Sequence, residues 1–484
     1  MRPLRPEVEA APLGDLRAIE EGALRDGLAA RAARSALYRD RWAAAGVDPS
    51  AVRTYEDLQR LPYVRGADLR EAWQREPDAM LVDPEVRLWF ATSGTTGAPK
   101  WTPYGRWELS MLEEVVLRDF QMVAAREAPH RWAIFATPAP FVSEAAAYAL
   151  LFSHVAAGHA VEYLFTSPTQ AEAALTFLAQ RRPTAVLGFP SLLLRIAEGV
   201  EAEAPAAARA SWRAEPSFRT AVGALATRVM RIRPRHVYRP EIGLFGGEPL
   251  APYREALRSA WGLRAYELYA LTEYPCFHVE CPEGAGIHLW ADWCIPELIP
   301  LKALEREESD PSAGEAPAHH LFDAAPGAVG EFVFTSFGRA LPLVRYRTGD
   351  VIEVIAVSRC GCGRTHPRIR VRGRRDDLVN LGVIRFSTAD LERCLDGLPG
   401  VVAWQLRIRR QGYKPFPVLF VQGGDPPVPQ LAEAVARALE GIDILQTGIE
   451  HGLVLPPQIR IVDQIEEVRT WSGKRRRVID ETPV

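Results

Sequence analysis

Residues 184–190, TAVLGFP, and 241–247, EIGLFGG, are apolar runs of strand length, each closing on a glycine and each followed by a longer amphipathic stretch. A short run of this kind reads as a strand buried on both faces, as in a parallel sheet covered by helices. Similar runs stand at RLWFAT (87–92), RWAIFATP (131–138), AVEYLF (160–165) and AYELYA (265–270). Helix-period segments such as GRWELSMLEEVVLRDFQMVAAR (105–126) separate them, so the chain from about Val86 onward reads as βαβ units. Upstream, LAARAARSALYRDRWAAAG (28–46) is an Ala- and Arg-rich helical pattern stopped by Gly46. Downstream, 280–360 carries short strand patterns (GIHLW, GEFVFTS, LPLVRY, DVIEVIAV), which suit a small β-rich subdomain. A polar, Pro- and Ala-rich stretch near 302–328 is expected to be a loop. Past Gly373 the pattern is α+β, with helices expected at 388–395 and 431–439 and strands at 401–408, 417–421 and 459–461. The fold class is therefore α/β. A large N-terminal domain over 1–373 has mixed and parallel sheets flanked by helices, and a small α+β domain spans 374–484.

Composition narrows the function. The chain has 484 residues, 48% hydrophobic and 25% charged, which is ordinary globular composition. Lys and Arg number 58 against 61 Asp and Glu, a net charge of −3, so nucleic acid is not an expected partner. Six cysteines are too few for a disulfide framework in a chain this long and suit a reducing compartment. The first 28 residues carry charges of both signs and no secretory pattern. The most apolar stretch, 145–165, is broken by Ser153, His154, Gly158, His159 and Glu162, so it reads as a buried helix leading into a strand. A soluble, cytoplasmic protein with no membrane partner is the expectation.

The segment ATSGTTGAPK (91–100) follows an expected strand and precedes an expected helix. Its glycines free backbone N–H groups, and Thr92, Ser93, Thr95 and Thr96 add hydroxyl donors, a combination that wraps phosphates. Only two residues separate Gly94 from Gly97, so it is not a Walker A loop. A Ser/Thr/Gly-rich surface turn is the competing reading.

Further segments point the same way: Gly246-Gly247-Glu248-Pro249, Tyr269-Ala270-Leu271-Thr272-Glu273, Tyr346-Arg347-Thr348-Gly349-Asp350, Gly373-Arg374-Arg375-Asp376-Asp377 and Trp471-Ser472-Gly473-Lys474. In this order and spacing they resemble the adenylate-forming superfamily of acyl-CoA synthetases, adenylation domains and luciferases. SALYRDRW (35–42), ECPEGAGIHLWAD (280–292), CGCGRTHPRI (360–369) and GKRRRVID (473–480) bring the resemblance closer to its phenylacetate–coenzyme A ligase branch, over about residues 15–480. The resemblance implies an AMP-forming ligase that activates a carboxylic acid with ATP and Mg²⁺ and passes the acyl group to CoA. It implies that Ser93, Gly94, Thr95, Thr96, Gly97 and Lys100 face the β- and γ-phosphates. Thr272 bonds the α-phosphate, and Glu273 holds Mg²⁺. Gly246, Gly247, Glu248, Pro249 and Tyr269 form the adenine slot, and Asp350 takes the ribose hydroxyls with Arg374 beside it. Lys474, on a mobile C-terminal domain pivoting at Asp376, serves adenylation.

The acid pocket implied by the same resemblance takes Phe141, Phe189 and Tyr274, an aromatic set suited to an aryl or arylacetic acid. One stretch departs from the family pattern: Leu381-Gly382-Val383-Ile384-Arg385-Phe386-Ser387, in the region serving the second half-reaction. A carrier-protein thiol, an amine or another small nitrogen nucleophile therefore stays open as an alternative acceptor, as does a non-catalytic nucleotide-binding member. Cys281 with His288, and Cys360 with Cys362 on a tight turn, would make a Cys₃His structural zinc site. Buried reduced cysteines are the alternative. Arg368, Arg370, Arg372 and Arg374 alternate, so a strand puts them on one face. Relatives of this branch are often dimers, which allows a homodimer here.

Overall fold

A computed structural model describes residues 3–83, 85–86, 88–91, 101–123, 131–135, 162–166, 178, 180–238, 240–247, 250–271, 273–310, 312, 314–374, 378–382, 384–424, 430–466 and 477–481. Most strands join one large sheet. Its first half is parallel, with strands Glu162–Thr166, Arg131–Phe135, Ala185–Gly188, Ile242–Gly246 and Arg264–Leu271 lying side by side in that order. These are five of the six runs read as buried strands. The chain steps to one side from Arg131–Phe135 to Glu162–Thr166, then returns across it to Ala185–Gly188. That reversal opens a crevice at the carboxyl ends, where α/β sheets bind ligands.

The sixth run departs from the βαβ reading. Leu88–Ala91 pairs antiparallel with Trp101–Tyr104 as a two-stranded ribbon outside the large sheet. Residues 92–100 therefore connect two strands, and the helix Arg106–Val123 comes only after the second. Pro103 sits in the short second strand of this ribbon, outside the large sheet, where a missing N–H is tolerated.

The second half of the sheet is antiparallel. From Arg264–Leu271 it runs through Tyr274–Glu280, Ile287–His288, Arg368–Arg374, Tyr346–Ala356, Val329–Ser336, Cys294–Pro300 and His319–His320. The stretch expected as a loop near 302–328 instead opens with a helix, Leu301–Ser309. Leu304 is buried among Tyr63, Ile299 and Val333, with Leu301 and Ala303 packed against the same cluster, in a segment whose polarity hid its helical period. The N-terminal pattern at 28–46 splits into Leu28–Ala32 and Ala36–Ala44. The hydroxyl of Ser35 caps the second helix by accepting from the Leu37 N–H.

The C-terminal unit matches its sequence pattern closely. Helices Thr388–Leu395 and Leu431–Leu439 stand where the apolar spacing put them, and strands Val401–Gln411, Lys414–Gly423 and Gln458–Val462 sit in a four-stranded sheet. Val379, Leu395, Trp404, Leu419, Val435 and Val454 belong to a core drawn only from this part of the chain. It rests on the helix Pro190–Ala214, where Glu198 accepts from Tyr413 Oη and from Lys414 Nζ at 2.8 Å. Among the described residues no helix is long and apolar enough to cross a membrane.

Candidate active site

The carboxyl ends of three neighbouring parallel strands carry the central candidates. Ala185–Gly188 delivers Phe189, Ile242–Gly246 delivers Gly246 and Gly247, and Arg264–Leu271 delivers Tyr269. The two glycines are sterically required. A Cβ on Gly246 would stand 2.8 Å from Leu268 Cδ2 on the adjacent strand. Gly247 adopts φ +83°, and a Cβ there would come 2.2 Å from the Phe189 ring. The glycine turn and the aromatic side chain thus share one wall of the crevice.

The antiparallel half supplies the opposite side. Tyr269 Oη donates to Asp350 Oδ2 at 2.7 Å, with both side chains almost wholly buried. Tyr346 Oη, four residues before Asp350, donates to Glu273 Oε1 at 2.8 Å. Two of the five quoted motifs are thereby tied together twice, although 81 and 73 residues separate the partners. Arg374 is the cross-strand partner of Asp350.

The turn around Asp350 is anchored from beneath. The Arg347 guanidinium reaches Glu331 at 2.6 Å and Glu307 at 2.8 Å, and its pKa is raised by those two carboxylates against the cost of burial. Thr348 Oγ1 donates to the Phe332 carbonyl and accepts from the Asp350 N–H. Arg347 and Tyr346 were part of a quoted motif, yet their service to Asp350 and Glu273 was not read from it. Glu331 and Glu307 lie on other elements, and nothing in the local sequence pairs them with Arg347.

Tyr274 is buried, its ring centroid 4.9 Å from that of Phe334, so its described contacts are packing contacts. His278 is buried and accepts from the Trp290 N–H. Burial lowers its pKa to about 3 and keeps it neutral. Cys276 and Cys294 are buried thiols raised in pKa by that burial. Lys474, Thr272, Ser93, Gly94, Thr95, Thr96, Gly97, Lys100, Glu248, Pro249, Phe141 and Asp376 lie outside the described residues, as does the side chain of Arg374.

The second constellation is the cysteine–histidine group. Cys281, His288, Cys360 and Cys362 bring one donor atom each to within 4.8 Å of all the others. Cys281 Sγ lies 3.7 Å from Cys360 Sγ, and Cys362 Sγ lies 3.4 Å from His288 Nε2. A tetrahedral zinc with Zn–S of about 2.3 Å and Zn–N of about 2.0–2.1 Å spaces its ligands by roughly 3.8 Å (S···S) and 3.5 Å (S···N). The donor set fits that ion. The Cys362 thiol is pulled far below its ordinary pKa, first by the hydrogen bond from Cys281 and also by His288. His288 is raised by Cys360 and Cys362 against the cost of its burial. Cys281 is raised in turn by its bond to Cys362, so the four groups share protons that a cation would displace on taking thiolates and a neutral imidazole. Glycine-rich turns make the approach: the Gly363 N–H closes on the Cys360 carbonyl at 2.9 Å, and the Gly284 N–H on that of Cys281 at 3.0 Å.

Arg370 and Arg372, on the face read from their alternation, both bond Glu353. That carboxylate accounts for part of the basic stripe without an external anion.

Comparison with known proteins agrees with this geometry. The chain is 27% identical to a phenylacetate–coenzyme A ligase of Thermus thermophilus, covering 98% of this chain and 99% of that one. It is 28% identical to one of Pseudomonas putida, covering 74% and 71%. Its fold resembles that of a 2-hydroxyisobutyryl-CoA ligase solved with 2-HIB-AMP and CoA, with a TM-score of 0.69 and 21% identity over 99% of this chain and 94% of that one. A family model described as AMP-binding enzyme matches residues 30–314, more than half of the chain, and the chain belongs to that family.

Proposed function

We propose that this chain is an AMP-forming acid–CoA ligase: it activates an aryl or arylacetic carboxylate as the acyl-adenylate, releasing pyrophosphate, and then transfers the acyl group to the thiol of CoA. The observation that carries the reading is the Tyr269–Asp350 bond beside the Gly246–Gly247 turn and the Phe189 ring. That juxtaposition joins a slot for a flat base, an acceptor for vicinal hydroxyls and an aromatic wall. Four phenylacetate–coenzyme A ligases among the relatives support the same assignment.

The chemistry explains the residue types. A carboxylate is a poor acyl donor because oxide does not leave, whereas AMP does. Attack of the carboxylate oxygen on the α-phosphorus forms the mixed anhydride and expels pyrophosphate. Catalysis of that step is positioning plus neutralisation of charge gathering at the α-phosphate. In this reading Asp350 accepts the ribose hydroxyls, Tyr269 flanks the adenine and orients Asp350, and Phe189 packs on the acid. Glu273, steered by Tyr346, holds Mg²⁺, which offsets phosphate charge when bound. Ser93–Gly97, Lys100 and Thr272 contact the phosphates, and Glu248 and Pro249 complete the slot beside Arg374. Phe141 faces the acid. Lys474 brings its ammonium to the reacting oxygens, and rotation of the 374–484 domain about Asp376 withdraws it before the thiol attacks. Zinc at Cys281, His288, Cys360 and Cys362 is structural, since four protein ligands leave no position for substrate.

The test is a screen of aryl and arylacetic acids for carboxylate-dependent ATP–pyrophosphate exchange, followed by thioester formation with CoA. Exchange with no acid in the panel would sink the substrate class. Exchange without CoA consumption would hand the acyl group to another nucleophile.

A further inference from the structure

Gln411-Gly412-Tyr413-Lys414 turns the chain between the strands Val401–Gln411 and Lys414–Gly423, with Gly412 at φ +64°. The tip of this hairpin leaves the C-terminal core and lies on the helix Pro190–Ala214 of the large domain. There Glu198 accepts from Tyr413 Oη with one carboxylate oxygen and from Lys414 Nζ, at 2.8 Å, with the other. One turn earlier, Arg195 Nε donates to the His451 carbonyl at 2.9 Å. Gly452 follows, and a Cβ there would stand 3.2 Å from Arg195 Nε, so the approach is close. The Tyr413 ring packs on the apolar cluster of the large domain that also holds Leu193, Tyr253 and Phe189. Arg410 stacks on the Tyr253 ring, 4.7 Å from its centre.

These bonds cross between two separate apolar cores. The ion pair at their centre is part-exposed, Lys414 by 21% and Glu198 by 37%. A polar contact of this kind lets domains move, whereas a large apolar one would weld them together. Its geometry is nonetheless specific. Against the cost of burial, Lys414 and Tyr413 hold the Glu198 carboxyl below its ordinary range. Burial, and then the bond to Glu198, raises the Tyr413 hydroxyl, which stays protonated and donates. The contact combines a defined fit with easy release.

The sheet of the C-terminal unit shows which of its ends is held. The strand Val478–Asp480 runs parallel to Val401–Gln411 and pairs Val478 with Leu406. Arg477, three residues after Lys474 in the sequence, therefore enters the sheet about 17 Å from the hairpin end at Gln411. Its carboxylate partners, Glu392 and Asp396, belong to its own domain. The end that grips the large domain is the end remote from Arg477. The next step rests on the ligase reading above, in which adenylation needs the lysine side of this domain at the crevice and thiol transfer needs it withdrawn. We propose that Glu198, Tyr413 and Lys414 form a latch that holds the C-terminal domain in its thiol-transfer position. They are positioning residues for the second half-reaction and touch no substrate.

Two measurements on the full chain test the latch. Zero-length carbodiimide coupling of the ligand-free protein should join Glu198 to Lys414, read from the mass of the linked peptides. Glu198→Lys should then slow thioester formation from CoA and the synthetic adenylate of the best acid in the exchange screen. The expected loss is ~5–10-fold, the size of population shift that reversing a part-exposed ion pair causes. ATP–pyrophosphate exchange should stay at or above wild type. Combining Glu198→Lys with Lys414→Glu restores the pair with its charges exchanged and should return thioester formation to within about twofold. A contact that serves folding alone would lower both half-reactions together, and that result overturns the latch. So does a missing cross-link, a loss confined to exchange, or a paired reversal that restores nothing. A cross-linked protein inert toward every acid and acyl-adenylate overturns the ligase reading, and the latch's role with it, while the contact itself stands.

Discussion

The strand Arg368–Arg374 joins two polar constellations of opposite design. Its start follows the Cys360–Cys362 turn and pairs through Arg368 with His288, while its end pairs Arg374 with Asp350. At the first end four donors close on one another, three of them buried. At the other end Tyr269, Tyr346, Asp350 and Glu273 are bonded to one another in pairs beside the carboxyl end of Arg264–Leu271, where the sheet changes from parallel to antiparallel. A closed donor set can act only by crosslinking the strands around it, whereas an open one acts by what it holds. Substitutions at the first should therefore appear as stability, and at the second as kinetics with stability intact. The largest expected effect falls on Lys474, which in the proposed reading serves the reactive side from the C-terminal domain. Lys474→Ala should depress ATP–pyrophosphate exchange by on the order of 10²–10³-fold. Thioester formation from a synthetic acyl-adenylate should stay within about threefold. Equal loss of both steps would contradict a lysine that leaves before the thiol arrives.

Cys362→Ser tests the closed end. Protein purified without chelator should carry stoichiometric zinc, and the variant should lose it. The loss should lower the thermal midpoint by about 5 °C, because the ion's binding energy is folding energy. The KM for ATP should move by no more than about twofold, since the ligands are a strand's length from Asp350. A wild type free of zinc, with its thiols all titratable in the native state, would end the metal assignment. A large KM change at unchanged stability would erase the contrast between the two ends.

Asp350→Asn is the matching test of the open end. An uncharged acceptor in the same shape should raise the KM for ATP by about 10–100-fold, the range for losing hydrogen bonds to a charged group. The thermal midpoint should change little. Comparing ATP with its 2′-deoxy analogue gives the decisive control: the wild type should discriminate, and the variant should do so far less. Undiminished discrimination would remove Asp350 from the ribose.

Much of this architecture was legible because its determinants are local. Apolar runs ending in Gly188 and Gly246 fix parallel strands, and spacing within Thr388–Leu395 and Leu431–Leu439 fixes two helices of the C-terminal unit. The cysteine–histidine group was also legible, since few residue types bind zinc and two short stretches, 281–288 and 360–362, supply all four. What escaped depends on partners distant in sequence. The ribbon Leu88–Ala91 with Trp101–Tyr104 imitates a sheet strand when only its first half is read. The helix Leu301–Ser309 packs through Leu301, Ala303 and Leu304 alone, too short an apolar run for periodicity to reveal. The roles of Tyr346 and Arg347 were hidden for the same reason, because Glu273, Glu307 and Glu331 meet them only after the sheet has formed.

The smallest effects give the finest comparison, because they remove one oxygen each from the same crevice. Tyr269→Phe keeps the ring but deletes the bond to Asp350, at a net cost of about 0.5–1.5 kcal/mol or roughly 2–13-fold in KM for ATP. Tyr346→Phe deletes the bond to Glu273 in the same way. If the two tyrosines orient different ligands, their signatures should separate. The Tyr269→Phe variant should bind ATP more weakly at saturating Mg²⁺, with the acid KM unchanged. The Tyr346→Phe variant should shift the Mg²⁺ dependence to higher concentration and leave the ATP KM at saturating Mg²⁺ near wild type. Their combination should be close to additive, since the two bonds share no atom. Identical profiles would mean that the tyrosines only fasten the parallel half of the sheet to the antiparallel half. The crevice would then owe its selectivity to residues other than this pair.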